Sequence, residues 1–152
     1  MIKINLVCVG NLKDKFFVEA CGEYIKRLSR FCSIKITEIK EFTNLENIEL
    51  IKRTEGEEIL KAIKGYFVLM DVKGKSLSSE DLAMSLNSIS NTKSEITFVI
   101  GGSYGVSDEV KQKANLVLSV SKMTFPHRLF RVMLLEQIYR AFTINNNISY
   151  HK

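Results

Sequence analysis

A chain of 152 residues is long enough to bury one hydrophobic core and short for two domains. With 45% hydrophobic and 26% charged residues it has the balance of a folded globular protein, which excludes intrinsic disorder, and no apolar run approaches the roughly 20 residues of a membrane span. The net charge of +5 admits a polyanionic partner such as RNA but does not specify one.

The opening residues, Met1 to Val7, alternate polar and apolar side chains. They lack the basic region and continuous apolar stretch of a signal peptide, so a cytoplasmic address is expected. The alternation of Ile2, Ile4, Leu6 and Cys8 with Lys3 and Asn5 predicts a first strand, Ile2 to Val9, turned by Gly10 and Asn11. Asp14 is placed to cap a helix in which Phe17, Ala20, Cys21, Tyr24, Ile25 and Leu28 share one face. A second strand is expected over Ile34 to Ile39, then a polar segment, Lys40 to Asn47. The helix that follows, Ile48 to Lys64, has only a thin apolar stripe (Ile51, Ile59, Ala62, Ile63) and belongs at the surface.

Gly65 ends that helix, and the nearly continuous apolar run Tyr66 to Val72 predicts a central strand buried on both faces. Lys73-Gly74-Lys75 reads as a turn, and Ser78 or Ser79 as the cap of a helix carrying Leu82, Ala83, Leu86 and Ile89 inward. The strand Ile96 to Ile100 runs into Gly101-Gly102-Ser103-Tyr104-Gly105. Ser107 caps a short helix, Asp108 to Ala114, and Leu116 to Leu118 form a last strand. A hydroxyl-bearing loop then leads to Pro126, whose fixed φ suits the first turn of a helix and holds Phe125 extended. The final helix, Leu129 to Phe142, is apolar nearly all round, so it should be buried on more than one side, against its own sheet or against a second copy in a homodimer. Alternating strands and helices imply one α/β domain spanning residues 1–152, a mostly parallel sheet covered by helices on both faces.

Ligands of such sheets sit beyond the carboxyl ends of the strands. Three ends stand out: Met70-Asp71, Ile100-Gly101-Gly102 and Leu118-Ser119-Val120. Gly101 and Gly102 offer main-chain N–H groups with no side chain in the way. Their pattern, Gly-Gly-x-x-Gly after a late strand, departs from the dinucleotide fingerprint, so no nicotinamide cofactor is inferred. Cys8, Cys21 and Cys32 are too far apart for paired zinc ligands and odd in number; buried, reduced thiols are expected, with no metal. The tail, Ser149-Tyr150-His151-Lys152, groups an aromatic ring, an imidazole and a cation, as stacking, proton transfer and phosphate contact require. No paired carboxylates and no Ser/His/Asp order point to hydrolysis.

Four stretches together resemble one family. They are Phe98 to Gly105, Leu118 to His127 (LSVSKMTFPH), Arg131 to Ala141 (RVMLLEQIYRA) and the terminal Tyr150-His151-Lys152. In this order, and over the whole chain, they are similar to the ribosomal RNA large subunit methyltransferase H family of the SPOUT class. The resemblance implies a C-terminal trefoil knot that holds S-adenosylmethionine in main-chain loops, matching here Met70, Gly101 and Gly102, and Val120, Ser121, Lys122, Met123, Thr124 and Phe125. The family commonly has leucine where Met70 stands, a change that conserves volume and an apolar wall. The implied activity is methylation of N3 of a pseudouridine in large-subunit ribosomal RNA, by a homodimer acting on assembled ribosomes. His151 is then a candidate proton acceptor, Tyr150 a stacking partner and Arg131 a third member of the catalytic group. Arg140, Lys122 and Lys152 are candidates for phosphate contact. His127 is another, and its place at a helix start suits capping or packing as well. Two other readings of the residues remain open: a non-catalytic RNA-binding module of the ribosome, and a nucleotide-dependent enzyme on a doubly wound fold.

Overall fold

The computed structural model describes residues 1–43 and 47–152; part of the expected polar segment, residues 44–46, lies outside them. Ten elements alternate: β1 (Ile2–Val9), α1 (Lys15–Leu28), β2 (Cys32–Ile39), α2 (Ile48–Ala62), β3 (Tyr66–Ser76), α3 (Ser79–Ser90), β4 (Glu95–Ile100), α4 (Asp108–Lys113), β5 (Leu116–Ser119) and α5 (His127–Asn145). The strands form one sheet in the order β2-β1-β4-β3-β5, and every neighbouring pair is parallel. The expected α/β architecture is what the chain adopts.

Side-chain alternation along the strands divides the core in two. Ile4, Leu6 and Cys8 of β1, Val68 and Met70 of β3, and Ile96, Phe98 and Ile100 of β4 meet apolar residues of α1, α3 and α5. The intervening Val7, Val9, Phe67, Leu69 and Val99 meet Ile59 of α2 and Val110 of α4 on the opposite face. A strand with both faces covered must be apolar at consecutive positions, which is why β3 and β4 read as unbroken hydrophobic runs. Three helix starts are capped as their sequences require: Asn47, Ser78 and Ser107 accept hydrogen bonds from the N–H groups of Leu50, Asp81 and Val110. Asp14 precedes α1 but makes no side-chain cap; its carboxylate is paired with Arg128 at 3.0 Å instead.

One element departs from expectation. Lys73-Gly74-Lys75 is not a turn between elements but part of β3, which continues to Ser76. Leu118 of β5 is the partner of both Met70 and Lys75, so β3 bends around the end of β5. Gly74 sits where the backbones cross: a Cβ there would lie 2.7 Å from the carbonyl carbon and oxygen of Val117. Local turn chemistry lost to a long-range pairing that requires a residue without a side chain.

α5 buries Leu134, Leu135, Ile138, Ala141 and Phe142 against α1 and α3, while Leu129 stays exposed. Exposed Phe16 of α1 (65%) and Met123 before α5 (73%) are larger apolar surfaces than solvation alone favours.

Candidate functional site

The carboxyl ends of β3, β4 and β5 open on a cavity of ≈ 260 Å³. Met70, Gly101, Gly102, Val120, Ser121, Met123, Thr124 and Phe125 all line it, so segments distant in the chain converge as the strand-end rule predicts. Lys122, named with them from the sequence, is exposed and does not line the cavity. The glycine turn is held closed by a hydrogen bond from the Gly105 N–H to the Gly102 carbonyl, 3.0 Å, with Gly105 at φ 81°. The loop after β5 is braced by its own hydroxyls. Ser119 Oγ donates to the Ser121 carbonyl (2.9 Å), and the Met123 N–H donates to Ser121 Oγ (3.0 Å). A Cβ on Gly101 would come within 2.7 Å of Val106 Cγ1, a side chain that lines the cavity. The cradle is thus main chain and small polar groups against apolar walls of Met70, Ile100, Leu118 and Phe130. That combination suits a small ligand with both apolar and hydrogen-bonding groups.

Beneath the glycine turn lies a residue that sequence reasoning missed. Glu55 of α2 is buried, accepts the Phe42 N–H at 3.0 Å, and would be 2.9 Å from a Cβ on Gly102. Burial pushes its carboxyl above the usual range, opposed by the Phe42 hydrogen bond and reinforced by Glu41 nearby. In a helix this charged it reads as one more solvated side chain; only its apolar neighbours in space betray it.

A second, larger cavity of ≈ 680 Å³ adjoins the first and shares Ile100, Ser103 and His127 with it. Arg131 belongs here. Its side chain is only 7% exposed, and its guanidinium is spent on Glu38 Oε2 (2.9 Å) and the Gly10 carbonyl (3.3 Å). His127 stands at the junction of the two cavities, at the first residue of α5.

The tail is ordered on the outer turn of α5, apart from these cavities. Tyr150 packs edge-on against Tyr139 (4.9 Å between centroids), lies under the Arg140 guanidinium (4.8 Å) and donates its hydroxyl to Glu136 at 3.1 Å. Burial, with hydrogen bonds to Tyr24 and Glu136, pushes its phenol up to about 12. Arg140 pairs with Glu136 and faces His151 Nδ1 at 3.1 Å, while His151 Nε2 lies 2.7 Å from Glu80. Arginine can only donate, so Nδ1 accepts and Nε2 carries the hydrogen toward Glu80. Tyr150, His151 and Arg140 therefore form one cluster, whereas Arg131 of the same chain shares neither contact nor cavity with it. Among the described residues no group of His, Cys, Asp or Glu could hold a metal ion, and no helix is long and apolar enough to cross a membrane.

A doubly covered parallel sheet with a main-chain cradle at its strand ends defines an α/β protein built to bind a small polar ligand. Comparison with known proteins names the kind. The family described as "Predicted SPOUT methyltransferase" matches residues 2–151. Proteins named Ribosomal RNA large subunit methyltransferase H are similar over their full length: that of Caldicellulosiruptor saccharolyticus is 49% identical (98% of this chain, 99% of that one). That of Clostridium acetobutylicum is 48% identical (99% and 100%), and that of Desulforamulus reducens 41% (100% of each). A solved structure of a probable methylase family protein from Haemophilus influenzae Rd KW20 shares the fold, with TM-score 0.59 and 13% identity over 99% of this chain and 70% of that one. The chain belongs to the SPOUT methyltransferase family and, within it, to the ribosomal RNA large subunit methyltransferase H group.

Proposed function

We propose that the chain, as one domain of residues 1–152, methylates N3 of a pseudouridine in large-subunit ribosomal RNA with S-adenosylmethionine as donor. The observation that carries this is the cavity where Met70, Gly101-Gly102 and the Val120 to Phe125 loop meet, in a chain similar end to end to proteins of that name. The trefoil knot that the family resemblance implies is part of this reading.

When bound, the cofactor supplies a methyl group already activated on a sulfonium sulfur, so the protein's task is placement. Main chain of the glycine turn and of the Ser121 to Phe125 loop would hold the polar groups of the donor, and Met70, Ile100 and Phe130 its ring. Lys122, exposed beside this loop, then serves RNA rather than cofactor. The acceptor nitrogen is an imide that carries a hydrogen at neutral pH, so a proton must leave. His151 is the acceptor in this reading, and it must release Arg140 to free Nδ1. Tyr150 offers a ring for stacking on the base, while Arg140, Lys152 and His127 offer phosphate contacts. Arg131 supports the site by fixing the loop after β1 through Gly10 and Glu38.

A homodimer closing over Phe16, Met123 and Leu129 would cover apolar surface that one copy leaves bare. The whole reading places the protein in the cytoplasm, on assembled ribosomes.

The experiment is calorimetric titration with S-adenosylmethionine, then nucleoside analysis of ribosomal RNA from cells lacking the protein after incubation with the purified chain. Wild type binds and adds one methyl to a pseudouridine; Gly101→Val does neither, because its side chain must displace Val106. Ribosome binding without a methylated nucleoside would leave a non-catalytic RNA-binding module, and no cofactor binding by wild type would overturn the proposal.

A further inference from the structure

The ≈ 680 Å³ cavity beside the cofactor cradle has a charge arrangement that the reading above does not use. Several of its charged groups are already neutralised. Arg131 and Glu38 satisfy each other and Arg128 is paired with Asp14, while Glu41 accepts the Ser103 hydroxyl at 2.8 Å and keeps its negative charge. Lys13, in the loop after β1, and Lys40, just past β2, have no carboxylate partner among the described residues. The nearest feature given to the Lys40 ammonium is the Phe42 ring at 5.6 Å. Both side chains are exposed at the cavity wall.

Glu38 is fixed from two directions through one oxygen. Oε2 accepts the Leu12 N–H at 2.9 Å and Arg131 Nη1 at 2.9 Å, whereas Oε1 has no hydrogen bond among the described residues. A carboxylate oxygen locked in place with spare capacity is an acceptor waiting for an N–H donor. Two unpaired cations on the same wall call for an anion. A ligand with both features, of a size for a cavity in the ordinary range of small-molecule sites, is a nucleotide. The carboxylate also chooses the base: pseudouridine, linked to its sugar through carbon, carries a second ring N–H at N1, which uridine and cytidine lack, and taking that one leaves N3 free to meet the donor.

We infer that this cavity seats the acceptor nucleotide, with Glu38 Oε1 receiving the N1–H of a pseudouridine and Lys13 and Lys40 holding its phosphate groups. This rests on the methyltransferase reading for its direction: Ile100, Ser103 and His127 are common to both cavities, so a base in one lies next to a donor in the other. It also gives Arg131 a definite task. Arg131 is a positioning residue that orients Glu38, not a group that meets substrate.

The test is an NMR titration of the ¹⁵N-labelled full chain, saturated with S-adenosylhomocysteine, with pseudouridine 5′-monophosphate. Amide shifts are expected at Asn11 to Lys13, Lys40, Glu41 and Ser103. The double variant Lys13→Glu, Lys40→Glu should weaken nucleotide binding on the order of tenfold or more while S-adenosylhomocysteine affinity stays within about twofold. Glu38→Gln should reduce the preference for pseudouridine over uridine monophosphate and leave the phosphate contribution intact. Shifts located elsewhere, or shifts at this cavity that survive the charge reversal, would overturn the assignment; so would equal shifts with inorganic phosphate alone, which would remove the base from it. Failure of the methyl-donor reading looks different. S-adenosylhomocysteine would then leave the Gly101 to Gly105 amides unmoved, whatever the nucleotide does.

Discussion

Gly74→Ala isolates what the crossing of β3 and β5 requires. The added methyl would meet the Val117 carbonyl carbon and oxygen at 2.7 Å and the Leu118 carbonyl carbon at 2.8 Å, well inside ordinary contact. All three atoms are backbone, paired with β3 itself, so neither strand can yield without losing ladder hydrogen bonds. Overpacking of this kind costs about 1–3 kcal/mol, and each kcal/mol moves Tm by about 2–4 °C in a domain of this size, so a fall of roughly 2–12 °C is expected. The matched control is Gly22→Ala in α1, where a Cβ meets nothing within 4 Å. There the same methyl restricts the unfolded chain and favours helix, raising stability by about 0.5–1 kcal/mol. Thermal melts followed by circular dichroism should move in opposite directions for the two variants. Because β5 feeds the loop that lines the cofactor cavity, Gly74→Ala should also weaken S-adenosylmethionine binding, and Gly22→Ala should not. A Gly74→Ala protein that melts at or above wild type would refute the crossing.

Three further outcomes can be checked. Burial pushes the Cys8 and Cys32 thiols up to about 12, so at pH 8 roughly one molecule in ten thousand carries each thiolate; Ellman's reagent should react with them only after denaturation. Tyr150 favours its neutral form in the fold, so its contribution to stability is whole below pH 10 and is lost as pH rises toward about 12. Tyr150→Phe should flatten the alkaline fall of stability over that window, and absorbance at 295 nm should lose its last-titrating phenol. Deleting Tyr150 to Lys152 should leave the sheet folded and S-adenosylmethionine affinity little changed, since the tail lines no part of that cavity, while methyl transfer collapses; retained transfer would strip the tail of its role.

Much of this could be read from residues alone, for a physical reason. Strand and helix patterns are local, so β1 and α1 were legible from periods of two and 3.6, and β3 and β4 from unbroken apolar runs. The cavity was legible in part: strand carboxyl ends in a parallel sheet point one way, which puts Met70, Gly101 and Val120 on one edge, and the adjacency of β4, β3 and β5 brings them together. That order, β2-β1-β4-β3-β5, was not legible: buried parallel strands are alike in composition, and nothing in Val68 or Phe98 says which lies beside β1. Lys73-Gly74-Lys75 read as a turn because its glycine answers to a strand far along the chain. Glu55 and Lys40 read as ordinary charged residues, and only a third dimension sets one beneath a glycine turn and the other beside a cavity. Arg131 drew notice through the family resemblance, as a member of the catalytic group; its position in space assigns it to Glu38.

The bend of β3 around β5 has a consequence for how the molecule comes into being. A ribosome releasing this chain delivers Met70 and Gly101 long before Leu118 and the helix behind it, and until β5 is seated there is only half a cradle. A copy made only as far as the glycine turn therefore lacks the wall that Leu118 and the Val120 to Phe125 loop supply to the cavity.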